Sequence, residues 1–146
     1  MESYIKYKIP TFDIQFQYPD WWLHKIEDDD TYLFWDEYTG SFRITPSIIN
    51  LQIFSLDQFL ENKFQEYFEK NPIWKTYNNR KYLYYEDLTK ETNDITKLHF
   101  YISGQKNTLL ICSFAYNNEL LKDIYSRDEV EEALMEVDNI LNSLTL

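Results

Sequence analysis

From Phe12 to Tyr18 every second residue is apolar: Phe12, Ile14, Phe16 and Tyr18 alternate with Asp13, Gln15 and Gln17. That is the period of a strand with one buried face, and Pro19-Asp20 interrupts it. Residues 22–28 and 31–36 read as two more strands, joined by the polar corner Asp28-Asp29-Asp30. Glu37-Tyr38-Thr39-Gly40 is a turn into a fourth strand, Phe42-Arg43-Ile44-Thr45, which Pro46 places at an edge or ends. Arg43 leaves on the face opposite Phe42 and Ile44. A two-residue Thr39-Gly40 turn would set Asp36 directly across from it as an ion pair.

The period then changes. Ser55 and Gln58 form a capping box, with Phe54 and Phe59 at the staple positions around it. Leu56, Phe59, Leu60, Phe64, Tyr67 and Phe68 fall on one helical face, and the helix should stop near Asn71-Pro72. Strand patterns return at 73–77, 81–88, 95–103 and 107–116, with Ser103–Asn107 as a hairpin and residues 89–94 as a mobile loop. Leu109 to Phe114 is apolar on both faces, as in a central strand covered from both sides.

Ser126 and Glu129 supply a second capping box, with Tyr125 and Val130 as its staple. Val130, Ala133, Leu134, Val137, Ile140, Leu141 and Leu144 continue one stripe to the end. Phe64 and Leu134 are expected to be buried. Four strands, a helix, four strands and a helix predict an α+β fold, an antiparallel sheet flanked by helices, as one domain over residues 1–146.

Composition narrows the function classes. The 146 residues include 13 tyrosines, ten phenylalanines and four tryptophans but only two glycines, and the net charge is −11. Such a polyanion repels phosphate backbones and anionic lipid surfaces, which argues against nucleic acid and against a membrane surface. The apolar runs are too short to span a bilayer. Acidity suits a basic protein partner. Met1–Lys6 has no apolar leader core, and one cysteine cannot form an internal disulfide; both point to a cytoplasmic protein.

Candidate chemistry is sparse. Gly40 and Gly104 are too far apart for a phosphate-cradling loop, so neither a P-loop nor a dinucleotide site is expected. Cys112 sits inside an apolar strand, where a structural thiol is expected, and Ser113 lacks the glycines of a nucleophile elbow. His24 and His99 have no second histidine at ligand spacing. Consecutive aspartates at 28–30 point to opposite faces of an extended chain, so a solvated turn is expected there rather than a cation site. Glu27, Asp36 and Glu37 could serve as an acid–base pair, but their spacing selects none of them. The expectation is no enzyme, no cofactor and no metal.

The strand Phe12–Tyr18 running into Pro19-x-x-Trp22, and a final helix closing on Ile140-Leu141-Asn142-Ser143-Leu144, resemble Mog/PsbP-like domains, the group that includes the DcrB-like bacterial proteins. The Lys-, Asn-, Ile- and Tyr-rich style also resembles single-domain proteins of Bacteroides-like bacteria. The resemblance implies an antiparallel sheet with helices against its faces and transfers no catalytic residue. It implies adaptor-like roles: regulator of a small GTPase, accessory photosystem II subunit, or chaperone for type VI secretion effectors. The chain departs from the lipoprotein members in lacking a leader and lipobox cysteine.

Adjacent residues of an extended chain face opposite ways. Trp22 is therefore expected inside and Trp21 at the surface, near Tyr38. These two aromatics are the candidate binding residues of a non-catalytic protein-binding module. The competing readings are a small-ligand binder or enzyme with a pocket against the sheet, and an acidic immunity protein that neutralises a basic toxin. A deep pocket of convergent polar groups would favour the former. A flat aromatic patch ringed by carboxylates would favour the protein-binding module or the immunity protein.

Overall fold

The alternation of Ile14, Phe16 and Tyr18 is realised in strand β2 (Ile14–Pro19), where all three side chains are buried. The computed structural model describes residues 3–49 and 55–146. Strand β2 is preceded by β1 (Tyr4–Ile9), which the sequence pattern did not reveal. Only Ile9 of β1 is fully buried and Ile5 is exposed, so the strand carries almost no alternation signal. A short 3-10 turn, Pro10–Phe12, and left-handed Asp13 (φ 54°) join the two strands, which places Phe12 before the strand it was expected to open.

The other strands are β3 (Leu23–Ile26), β4 (Tyr32–Trp35), β5 (Gly40–Ile48), β6 (Ile73–Tyr77), β7 (Arg80–Glu91), β8 (Asp94–Gln105) and β9 (Thr108–Asn117). They form one antiparallel sheet in the order β3-β4-β5-β9-β8-β7-β6, and β1 pairs with β2 in a separate hairpin. Helix α1 (Leu56–Glu66) lies on one face and α2 (Ile124–Ser143) on the other. The fold is therefore α+β, with an antiparallel sheet between helices, as the order of periods predicts.

Strand β9 lies in the interior of the sheet. Leu110, Cys112 and Phe114 face the core under α2 and the β1–β2 hairpin, while Leu109 and Ile111 face α1. The α2 side is the larger core and includes Phe16, Trp22, Phe34, Phe42, Val137 and Ile140. The α1 side packs Leu60 against Leu83, Tyr85, Ile102 and Leu109. Among the described residues, no helix is long and apolar enough to cross a membrane.

Several expectations need correction. Strand β5 runs through Pro46, pairing it with Leu110, and β5 lies between β4 and β9. The β4 pairing ends at Ile44, so Pro46 is past the point where that side of the ladder needs a donor. Residues 89–94 are not a loop: β7 and β8 continue to the pair Glu91 and Asp94, leaving a two-residue turn with Thr92 in the left-handed region. Polar composition misled there because both strands run beyond the core.

Helix α1 starts at its Ser55 cap, whose Oγ accepts from Gln58 N at 3.2 Å. The capping box is only half formed, because the Gln58 side chain donates to Asn62 Oδ1 instead. Its staple residue Phe54 lies outside the described residues. The helix ends at Glu66, and Phe68, carried into a 3-10 turn, is exposed. Helix α2 begins a turn earlier than its serine box suggests, capped by Asp123, which accepts from Ser126 N at 3.1 Å. Tyr125 is consequently an exposed first-turn residue and not a staple. Phe64 and Leu134 are half-buried at the margins of their cores, not buried.

Candidate functional site

The Asp20-Trp21-Trp22 segment is a tight turn between β2 and β3. Trp22 N–H donates to Pro19 O at 3.1 Å, and Asp20 N–H donates to Ser3 O at 3.0 Å. The turn sets the two indoles at different depths. Trp22 enters the core and stacks on Phe114, with centroids 6.5 Å apart and planes 15° apart. Trp21 remains 46% exposed.

A second turn faces it. Asp36 N–H donates to Gly40 O at 3.2 Å, closing the β4–β5 hairpin around residues 37–39. Tyr38 N–H donates to Asp36 Oδ1 at 3.1 Å, an Asx turn that holds Tyr38 at the tip, 76% exposed. This loop is longer than the expected two-residue turn. The register therefore sets Leu33, not Asp36, opposite Arg43, and Arg43 pairs with Glu27 instead.

Helix α2 supplies the third wall. Glu129, Glu132, Glu136 and Asn139 recur at helical spacing beside the buried stripe of Val130, Ala133 and Val137. Glu136 is buried at the base. Its Oε1 accepts from Tyr4 OH at 3.1 Å and from Asn139 Nδ2 at 3.3 Å, tying α2 to β1.

These three walls enclose an open groove of about 770 Å³ lined by Trp21, Tyr38, the edge of Trp22 and five carboxylates: Asp36, Glu37, Glu129, Glu132 and Glu136. No lysine, arginine or histidine among the described residues lines it. Among the described residues, Asp36, Glu37, Glu129 and Glu132 take part in no salt bridge. The structure thus brings both sequence-selected residues, Trp21 and Tyr38, to one concavity. The α2 carboxylates were missed, because in sequence they look like the solvated side of an amphipathic helix.

The other concentration of polar chemistry runs from the buried His99, Tyr84 and Tyr116 to the exposed Glu86 on the sheet. Glu86 and His99 are direct cross-strand partners on β7 and β8. Tyr84 OH donates to Glu86 Oε2 at 2.8 Å and lies 2.7 Å from His99 Nδ1, while His99 Nε2 lies 2.9 Å from Tyr116 OH. With the Tyr84 proton given to Glu86, Nδ1–H donates to Tyr84 and Nε2 accepts from Tyr116. Burial lowers the His99 pKa to about 4, with Lys97 and Lys75 adding to the effect and the Glu86 carboxylate opposing it. Burial pulls the Glu86 pKa upward, but hydrogen bonds from Lys97 and Tyr84 outweigh it and hold the carboxyl below its usual range. Burial also pushes the Tyr116 phenol up to about 12. This network satisfies buried polar groups and holds His99 neutral.

The remaining candidates are placed as follows. Asp28–Asp30 form the exposed β3–β4 turn, with Asp30 in the left-handed region. Cys112 is fully buried, and burial raises its thiol pKa. His24 packs among Tyr7, Tyr18 and Phe34. Glu27 is held by Arg43, whereas Asp36 and Glu37 belong to the groove.

No family model matches the chain, and no curated protein matches it in sequence. Among solved structures, it is similar to a crystal structure from Bacteroides thetaiotaomicron VPI-5482, with a TM-score of 0.64 and 19% identity. The match covers 90% of this chain and 44% of that one, so this chain spans less than half of that protein's length. It is also similar to the solution structure of cyanobacterial PsbP (CyanoP) from Synechocystis sp. PCC 6803, with a TM-score of 0.62 and 12% identity over 100% of this chain and 94% of that one. The chain has the PsbP-like fold.

Proposed function

We propose that the protein is a non-catalytic module that binds another protein, and that the groove between the β2–β3 turn, the β4–β5 turn and α2 is its docking surface. One observation carries this reading: Trp21, from the β2–β3 turn, and Tyr38, from the β4–β5 turn, line the same concavity while remaining accessible. Large aromatic side chains give much contact area for little lost conformational freedom, and exposed tryptophan is enriched where binding energy concentrates. The cytoplasm is the compartment we propose for it, on its single cysteine.

The test compares proteins retained from a host lysate by immobilised wild type, Trp21→Ala and Tyr38→Ala, identified by mass spectrometry. At least one protein held by the wild type should be lost from both variants while their melting temperatures stay unchanged. Identical retention by all three would sink the proposal.

A second reading has its own support. The groove volume of about 770 Å³ lies within the range of small-molecule sites. A dialysable compound that raises the wild-type melting temperature but not that of Trp21→Ala would favour a small ligand over a protein.

A further inference from the structure

We propose that the groove selects an arginine-bearing, extended segment of a partner protein, an inference that rests on the docking role proposed above. Charge complementarity commits the surface to a cation. Among the described residues, five carboxylates and no basic residue line the groove, and the whole chain carries a net charge of −11. A cation entering between the turns and α2 meets carboxylates on both sides, Asp36 and Glu37 from β4–β5 and Glu129 and Glu132 from α2. The four form no salt bridge among the described residues, so an incoming cation would have no internal ion pair to displace; Asp36 Oδ1 already accepts from Tyr38 N–H, which leaves its second oxygen for the ligand.

The aromatic residues distinguish the kind of cation. Carboxylates alone would attract any ammonium ion. An indole and a phenol at the same opening add flat faces on which a guanidinium stacks while its N–H groups fork to a carboxylate. Arginine satisfies both surfaces at once; a strongly hydrated lysine ammonium gains less from the rings. The groove is open at the surface, which suits a side chain carried on a peptide.

Isothermal titration with three synthetic decapeptides tests this: alternating arginine and serine, the same with glutamine for arginine, and the same with lysine. The arginine peptide should bind most tightly, and the glutamine peptide not measurably. Trp21→Ala should weaken arginine-peptide binding by about thirtyfold. The double variant Glu129→Gln, Glu132→Gln should weaken it several-fold, and should reduce its loss of affinity with added salt. Should Trp21→Ala disturb folding, the exposed glutamate pair still decides the matter. Equal binding of the arginine and glutamine peptides, equal binding of the arginine and lysine peptides, full binding by the glutamate variant, or no peptide binding would each overturn the inference. So would spermidine binding as tightly as the arginine peptide, which would make the occupant a free amine. Loss of a lysate partner from Trp21→Ala, without charge selectivity among the peptides, would leave the docking reading standing and remove only this refinement.

Discussion

The Nε–H of Arg43 donates to Oε1 of Glu27 at 2.8 Å, linking β5 to the residue that follows β3, across the intervening strand β4. The same guanidinium donates through Nη1 to Ser41 Oγ at 3.0 Å. Both members of the pair are partly exposed, so solvent screens most of the attraction. A double-mutant cycle with Arg43→Met and Glu27→Gln in urea unfolding should give a coupling below about 1 kcal/mol. A larger value would mean that the pair is desolvated more than its exposure indicates.

The two tryptophans should separate cleanly in stability. Trp22 is buried and stacked on Phe114, so Trp22→Ala should cost roughly 3–5 kcal/mol in denaturant unfolding. Trp21→Ala should change stability by less than about 0.5 kcal/mol, as surface substitutions usually do. A Trp21 loss comparable to that of Trp22 would return Trp21 to architecture.

Helix-facing residues should differ by depth rather than by type. Leu60 of α1 and Ile140 of α2 are buried, and alanine at either should cost roughly 2–5 kcal/mol. Phe64, stacked on Trp74 at 5.0 Å, and Leu134 lie at the core margins. Their alanine variants should lose only about 1–2 kcal/mol, because part of each side chain already meets water. Chemical unfolding of the four variants checks the order.

His99 should make stability fall as pH drops. Its folded pKa of about 4 lies below its ordinary 6.5, so the unfolded chain takes up a proton first. Stability is full above about pH 6.5 and is lost as pH falls towards 4, by up to about 3 kcal/mol. The lowered pKa of Glu86 acts in the same direction at still lower pH. Urea midpoints of the wild type and His99→Gln between pH 7 and 4.5 isolate the histidine. The variant should show the shallower slope, and parallel curves would contradict the assignment.

Gly40 should not tolerate a side chain. A Cβ there would meet the backbone carbonyl oxygen of Ala115 and crowd the Phe114 ring. Backbone cannot yield as a flexible side chain can, so Gly40→Ala should cost about 1–3 kcal/mol by overpacking. Thermal unfolding measures this. The same change should weaken binding in the groove, since Gly40 O closes the turn that carries Tyr38.

The sequence by itself determined both helices, most of the strands and which face of most of them is buried. Ile14, Phe16 and Tyr18, the two-faced run around Leu110, and the stripe from Val130 to Leu144 depend only on local period, and water sorts such patterns before any topology exists. It also separated Trp21 from Trp22, by the alternation of an extended chain, although the segment that separates them is a turn. Tertiary structure alone decided three other matters. β1 exists because β2 offers it an edge to pair with, not because its own residues alternate. Arg43 met Glu27 because the loop spans residues 37–39 rather than 39–40, which moves the register by three positions, and turn composition did not specify that placement. The groove joins Trp21 and Tyr38 to Glu129 and Glu132, about a hundred positions away in the chain. Periodicity reports which face is polar, but only the packing of α2 against both turns turns that polar face into the wall of a site.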